Sequence, residues 1–155
     1  MGVRVQTLTN PRDTPVGVGF GTILSIQVAA PAAGADFSQT VPGNRIWNLR
    51  SCRISLTTAV AVANRYVILQ ITDGTNIKVR WYPAITQPAG QTTEYDFQQG
   101  SLSQTGGAPF ILSYIPTPFF IRSGWVIQTA TVNIQAADQF SAAELIVDSY
   151  AAVMP

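Results

Sequence analysis

The sequence predicts an all-β protein: a jelly-roll or Greek-key β-sandwich of about eight strands with little or no α-helix. β-Branched and aromatic residues alternate with polar ones over short segments, which is the pattern of half-buried strands. Glycine, proline and asparagine interrupt the chain at short intervals, and no window keeps the 3.6-residue apolar period of a helix. The unequal connections between these segments favour a Greek-key or jelly-roll order over an up-and-down barrel.

The chain divides into an arm and one domain. Residues 1–21 contain Pro11, Pro15 and several glycines, so we interpret them as an extended N-terminal arm and not as a core strand. Residues 22–155 form the predicted β-sandwich domain, which is long enough to bury a substantial core. No stretch is apolar over the roughly 20 residues that span a bilayer, and no signal peptide is visible. We therefore expect synthesis in a cytoplasm.

The first strand is predicted over residues 22–30, and a long loop follows over residues 31–44. Within this strand Leu24, Ile26 and Val28 share one apolar face, because side chains alternate between the two faces of a sheet. Ile23, Ser25 and Gln27 point the other way. This segment is therefore expected to place one face on the core.

The second strand, over residues 45–59, changes phase in its middle. Trp47 and Leu49 share one parity, whereas the later apolar residues share the other: Cys52, Ile54 and Leu56. A one-residue slip would turn half of this apolar set towards solvent. The sequence therefore predicts a β-bulge near Arg50 and Ser51, which restores a single buried face.

Residues 65–72 and 76–83 form a predicted hairpin. Asp73-Gly74 between them is a favoured turn pair. The apolar side chains on the inner face of the hairpin are expected to be Val67, Leu69, Ile71, Ile77, Val79 and Trp81. Each set recurs at every second residue, as a half-buried strand requires.

The last four strands are predicted over residues 92–99, 110–121, 125–135 and 144–153. In the first of them Tyr95 and Phe97 alternate with acidic residues on the opposite face. Prolines interrupt the second, which is expected to run into an irregular corner. The connection over residues 136–142 is too short for more than a single helical turn.

The composition argues against an enzyme. Histidine is absent and Cys52 is the only cysteine, which excludes most zinc sites, histidine-assisted nucleophiles and an internal disulfide. Cys52 is expected to be a small buried hydrophobic residue. Glu94 and Asp96 share one strand face and could flank a glycosidic bond, but we interpret them as a solvated face. No catalytic residue, cofactor or metal site is predicted.

The charge distribution favours protein partners. Nine Lys and Arg against eight Asp and Glu give a net charge of +1, which argues against nucleic acid and membrane as partners. Only 11% of residues are charged, against roughly 25% in a typical soluble domain. Every cation except Lys78 is arginine, the cation favoured in interfaces. This composition indicates that partners cover much of the surface.

Candidate interface residues lie in the arm, in the apolar tail 151–155 and at outward positions of strands. Apolar groups on both faces of a strand indicate two buried faces or an interface. Arg65, at the start of its strand, is expected to be either an internal clamp between loops or an interface contact. The candidates are Arg4, Arg12, Arg65, Tyr66, Ile68, Ile146, Tyr150 and Met154.

A family resemblance adds to this interpretation. RIWNLRSCRISLTTAVAVANRYVILQITDGTN is followed by an E-Y-D-F strand, a proline-rich corner and SGWVIQTATVNIQAADQFSAAELIVDSY. This order, over roughly residues 45–150, resembles small tailed-phage virion proteins of jelly-roll type. The shared features are a Trp-led strand, an Asn-Arg pair opening the next strand, an Asp-Gly hairpin and an Asp-x-x-Ser connection.

The resemblance implies a structural role in a virion. Such proteins commonly serve as capsid cement (decoration) proteins, often trimers, on the outer capsid surface. The expected partners are then the major capsid protein and further copies of the chain, as a homotrimer. Others of this type sit on tails or fibres, so the alternative is a carbohydrate- or receptor-binding module. Trp47, Trp81 and Trp125 are candidate sugar-contacting residues, although the first two lie on the buried parity of their strands.

Overall fold

The computed structural model describes residues 21–100, 105–107, 109–116 and 118–152. In these ranges the chain forms β-strands and no helix. In chain order the strands are β1 (Thr22–Val28), β2 (Ser38–Thr40), β3 (Arg45–Thr57), β4 (Tyr66–Thr72), β5 (Ile77–Trp81), β6 (Thr92–Gln99), β7 (Thr105–Gly107), β8 (Phe110–Ile115), β9 (Phe120–Ile121), β10 (Val126–Val132), β11 (Gln139–Phe140) and β12 (Ala143–Ala151).

The strands form two sheets. The first has the order β1-β12-β3-β6-β8-β7, with β9 and β11 also paired to β3, and the second has the order β2-β10-β4-β5. The pairs are antiparallel except β6 with β8, which is parallel. Inward side chains of both sheets form one apolar core cluster. The predicted all-β sandwich is therefore confirmed, while the finer expectation of a jelly-roll order stays a prediction.

The eight predicted strands correspond to the longer observed ones. The additional strands are β2, β7, β9 and β11, which have two or three residues each. They lie in segments whose sequence predicts loops or a proline-rich corner. Such short strands form because a neighbouring strand supplies hydrogen-bond partners, and they are too short for a period-2 pattern to be recognised. Of the predicted arm over residues 1–21, only Gly21 lies within the described residues.

The bulge in β3 is confirmed. In the pairing with β12, Ile146 lies opposite Ser51 and Val147 lies opposite Leu49, so Arg50 is the extra residue. The apolar residues on both sides of Arg50 are buried on the inner face: Trp47, Leu49, Cys52, Ile54 and Leu56. One extra residue thus brings two out-of-phase halves of one strand onto one core.

The hairpin between β4 and β5 is also confirmed, with one correction. Asp73 Oδ1 accepts hydrogen bonds from the backbone N–H groups of Thr75 and Asn76, and Gly74 has a positive φ. Ile77 was expected to face inwards, but it is exposed. The register shifts between Ile71 and Thr72, which leaves Lys78 as the extra residue and turns Ile77 to the outer face beside Thr72.

The two sheets share an apolar core. Inward residues of β3, β4, β6, β10 and β12 pack together with Phe37, which precedes β2, and with Phe140 of β11. Cys52 belongs to this core, as expected, and burial, with a smaller contribution from the charge of Asp96, raises the pKa of its thiol to about 12. In β1, Ile26 and Val28 pack against the core, whereas Leu24 is exposed. The apolar face predicted for the first strand is therefore only partly covered.

Candidate interaction surface

Arg65 is an internal clamp. Its side chain and that of Asp138 are both fully buried. The guanidinium Nε donates to Asp138 Oδ2 at 2.8 Å, and Nη2 donates to Asp138 Oδ1 at 2.9 Å, which is the paired geometry that favours Arg over Lys. Of the two roles predicted for Arg65, the internal clamp is confirmed. The interface role is wrong, because the side chain has no solvent-accessible surface.

The remaining donors of Arg65 organise the loop after β3. Nη1 donates to the carbonyl oxygen of Ala61 at 2.9 Å and to that of Ala63, and Nη2 contacts the Ala59 oxygen at 3.5 Å. Three alternate carbonyls of one short loop therefore point inwards at one guanidinium. The two residues between them point outwards, since Val60 is 86% and Val62 is 100% exposed.

Asp138 links the connection between β10 and β11 to this loop by hydrogen bonds. Its Oδ1 accepts a hydrogen bond from the Ala59 N–H at 2.7 Å, and its Oδ2 accepts one from the Gln135 N–H at 2.8 Å. Burial alone would raise the pKa of this carboxyl. The hydrogen bonds and the charge of Arg65 outweigh burial, so the pKa of Asp138 lies below its ordinary value. The carboxylate is thus stable in its ionised form within the folded chain.

This lowered pKa predicts a loss of stability in acid. A carboxyl with a depressed folded-state pKa stabilises the fold fully above its unfolded pKa of about 3.9, and the contribution disappears as pH falls through the folded value. We expect the urea midpoint to decrease as the pH is lowered from neutral to about 3. In Asp138→Asn this decrease should be less steep. Asp73→Asn is the comparison variant, because the pKa of Asp73 is also lowered, by Lys78 and turn amides. Parallel pH profiles for Asp138→Asn and the unaltered chain would contradict the prediction.

Gln87 joins the loop between β5 and β6 to the same scaffold. Its backbone exchanges two hydrogen bonds with the backbone of Arg65, each at 2.8 Å. Its side-chain Nε2 donates to the carbonyl oxygens of Leu56 and Gln91, and its Oε1 accepts from the Tyr95 hydroxyl at 3.0 Å. Burial raises the pKa of Tyr95, which keeps that hydroxyl a donor. Several loops are therefore fixed at one end of the sandwich by buried polar groups.

The loops at this end of the sandwich carry little charge, and the nearest partly exposed carboxylate is Asp36, which accepts hydrogen bonds from Thr129 and Thr131. We call this end the neutral end and define it by the connections 29–35, 58–64, 83–91 and 133–137, none of which contains a charged residue. The first joins the others through a 2.7 Å hydrogen bond from the Gly34 N–H to the Asp138 carbonyl oxygen. The opposite end carries Arg45, Asp73, Lys78 and Arg122. The two most exposed large apolar side chains of the described residues, Val60 and Val62, thus lie in an uncharged loop.

Two of the predicted interface residues lie on the outer face of the first sheet. Ile146 and Tyr150 are half-buried there, and the Tyr150 ring packs against Phe120 with ring centroids 5.9 Å apart. Charged pairs cross the same face: Arg53 with Glu144 at 2.5 Å, and Arg50 with Asp148 at 2.8 Å. This face therefore combines apolar groups with ion pairs, unlike the neutral end.

Tyr66 and Ile68 lie on the outer face of the second sheet. The Tyr66 hydroxyl donates to the Pro83 carbonyl oxygen at 2.8 Å, and its ring stacks against Tyr82 at 6.2 Å. Ile68 lies on this face as its parity predicted, but it is buried there, which corrects the expectation that it is an exposed contact residue. Along the strand it is flanked by the tyrosine pair and by Gln70, whose Oε1 accepts from Arg80 Nε at 3.0 Å.

The three remaining interface candidates, Arg4, Arg12 and Met154, lie outside the described residues. The sequence interpretation missed Val60 and Val62, although the signal was present: a loop of alternating alanine and valine stands directly before the buried arginine. Without the positions of the carbonyl groups, the sequence of this loop indicates no more than a turn.

The described residues offer few groups suited to catalysis or metal binding. No group of three or more potential metal ligands lies together there, and no helix there is long and apolar enough to cross a membrane. Glu94 and Asp96 are half-buried on one face of β6. Burial, with the charge of Glu94, raises the pKa of Asp96 above its ordinary value against the opposing effects of Gln98 and Arg53.

The three tryptophans are not open sugar platforms. Trp47 and Trp81 are buried in the core cluster, as their strand parity predicted. Trp125 is half-buried, and its ring has Phe119, the Lys78 ammonium and the Arg122 guanidinium as neighbours. Among the described residues, exposed aromatic surface is therefore provided by tyrosine and phenylalanine.

Comparison of the chain with protein-family models, with curated proteins and with solved structures finds no match in any of the three. The geometry of the surface is therefore the basis for a functional assignment.

Proposed function

We propose that the chain is a structural virion protein of the capsid cement (decoration) type. It binds the major capsid protein on the outer surface of a phage head and stabilises the assembled shell. The observation that carries the proposal is the neutral end, where a buried Arg65–Asp138 pair holds Val60 and Val62 outwards. A contact surface that is fixed before binding loses little conformational freedom on association.

The neutral end indicates the chemistry of the capsid partner. Because the loop that carries Val60 and Val62 has no charged residue, a charged partner surface would lose solvation there without gaining an ion pair. The complementary surface is an apolar, uncharged recess that admits the two valines. Burial of a valine side chain stabilises by about 1.5–3 kcal/mol, so two of them supply useful binding energy. A protein that binds only the assembled shell stabilises that shell by mass action.

The proposal is tested first on virions. Purified heads should contain the protein in a fixed stoichiometric ratio to the major capsid protein, and heads lacking it should lose resistance to heat. A few copies per particle, or copies confined to tails, would contradict the proposal. A homotrimeric arrangement is the form that the family resemblance implies, and the copy number per capsomer measures it.

Substitution at the neutral end gives the second test. We expect Val60→Ser combined with Val62→Ser to weaken binding to heads lacking the protein by more than tenfold, since tenfold corresponds to about 1.4 kcal/mol. Ile77→Ser is the matched control, because Ile77 is exposed on the hairpin at the opposite end. Binding should persist between about 0.1 and 1 M salt, where screening removes surface charge interactions. Equal weakening by both variants would contradict a docking role for the neutral end.

One observation favours a second function, a tail- or fibre-associated carbohydrate-binding module. Tyr66 and Tyr82 form a side-by-side ring pair with an interplanar angle of 24°, and Tyr82 is half exposed. Such a pair offers flat apolar area with polar tips, which suits the faces of sugar rings. The virion fractionation described above separates the two functions, because this module is expected on tails at low copy number.

A further inference from the structure

The outer edge of β1 is unusual among the sheet edges of this molecule. Natural edge strands avoid unwanted pairing by being short, by carrying charged residues or proline, or by bulging. β2 and β7 have three residues each, and β5 carries Lys78, Arg80 and a bulge. β1 has seven residues, TILSIQV, with none of these protections. Among the described residues, no strand pairs with its second edge.

Apolar side chains along β1 are also uncovered. Ile23 is 62% exposed on the outer face. Leu24 is 38% exposed although it lies opposite the buried Val147 on the inner face of the sheet. A free row of backbone donors and acceptors beside exposed aliphatic groups is the surface that an added strand covers.

We propose that β1 pairs antiparallel with β1 of a second copy of the chain. The two strands meet about a two-fold axis at Ser25, so that the first sheets of both copies join into one continuous sheet. The contact is isologous, because each copy contributes the same strand. It concerns the protein in solution and does not depend on the proposed capsid role. It also differs from the three-fold arrangement that the family resemblance implies.

The register of this pairing is self-complementary. With Ser25 opposite its own copy, Leu24 lies opposite Ile26 on the inner face, and Ile23 lies opposite Gln27 on the outer face. Each inward residue meets an inward residue, so the apolar face continues across the junction. No charge lies in the paired strands. A second copy therefore satisfies the edge without placing like charges opposite one another.

The nearest charged residues do not oppose the contact. Glu144 and Asp148 lie on β12, one strand away from the junction on each side. Charges on the two β12 strands are then three strand spacings apart, which is about 14 Å. That distance exceeds the screening length of about 8 Å at physiological salt. A like-charge penalty between the two copies is thus largely screened.

Cysteine cross-linking tests the proposed register in the full chain. Ser25→Cys should form a disulfide-linked dimer with a mild oxidant such as diamide, because directly opposite Cβ atoms lie about 5 Å apart. Gln27→Cys is the matched control, since the two copies of residue 27 are roughly 13 Å apart along the strands. Cys52 does not compete, because it is buried and the pKa of its thiol is raised to about 12. Equal cross-linking of both variants, or none of Ser25→Cys, would overturn the proposal.

Measurements on the unaltered chain test whether a second copy of the chain pairs with β1. Sedimentation velocity should show a monomer–dimer equilibrium, and hydrogen exchange should show β1 amides that become more protected as concentration rises. Ser25→Lys should abolish both effects, because two ammonium groups would face each other. The monomer tolerates this lysine, since Ser25 already contacts Glu144 at 3.2 Å. A trimer, or β1 protection that is independent of concentration and so arises from the chain's own residues 1–20, would refute the two-fold contact.

Discussion

Replacement of Asp138 by alanine is expected to lower the free energy of unfolding by about 3–5 kcal/mol, the cost of leaving one member of a buried ion pair without its partner. The Arg65 guanidinium would stay in a fully buried site with its charge uncompensated. The N–H groups of Ala59 and Gln135 would also lose their acceptor. Urea unfolding followed by tryptophan fluorescence measures the change.

An exposed ion pair provides the matched control for Asp138→Ala. Arg53 and Glu144 bind each other on the outer face of the first sheet, where the Arg53 side chain is largely in solvent. Exposed pairs typically contribute at most about 1 kcal/mol, so Glu144→Ala should change the urea midpoint little. If both variants lose the same stability, the Arg65–Asp138 pair does not organise the loops. Restoration of stability by a second change, Arg65→Met in the Asp138→Ala background, would show that the unpaired charge is the cause.

Replacement of Phe97 by alanine is expected to cost about 3–5 kcal/mol, because it removes a buried ring and leaves a cavity that the sandwich fills only in part. Phe97 has no exposed surface and stacks beside Tyr95 with ring centroids 6.4 Å apart. For a chain of this size, such a loss lowers the melting temperature by roughly 10 °C. Thermal unfolding followed by circular dichroism measures it.

Phe110 supplies the comparison for this second variant. It lies on β8, which pairs with the strand that carries Phe97, but it is 41% exposed. We expect Phe110→Ala to cost less than about 1 kcal/mol, as surface substitutions usually do. A larger loss for Phe110→Ala than for Phe97→Ala would show that the core is not centred where the two sheets face each other.

The fold was predictable because strand periodicity is a local property of the sequence. The alternation of residues 65–72 indicated which side chains of β4 are buried. The phase change between Leu49 and Cys52 indicated a bulge, since only an extra residue brings both halves onto one face. The bulge at Lys78 escaped prediction, because the alternation of Ile77, Val79 and Trp81 is unbroken in the sequence and only the pairing with β4 shifts.

The candidate surface was less predictable because it depends on contacts between distant residues. Asp138 lies 73 residues after Arg65, and no local pattern connects them. The sequence therefore left two roles open for Arg65 and gave no reason to single out Val60 and Val62. Ile68 was misjudged for a related reason: parity tells which face a side chain lies on, but not whether neighbouring side chains cover it there.

The shape of the loop between β3 and β4 depends on main-chain carbonyl groups and on one buried arginine, and the side chains of residues 60 and 62 take no part in it. A requirement for folding and a requirement for recognition are thus assigned to different atoms of the same short segment. Substitutions at these two positions can alter what the loop recognises while the main-chain conformation is retained. The loop therefore has the property sought in scaffolds for engineered recognition, in which a rigid frame carries exchangeable contact residues.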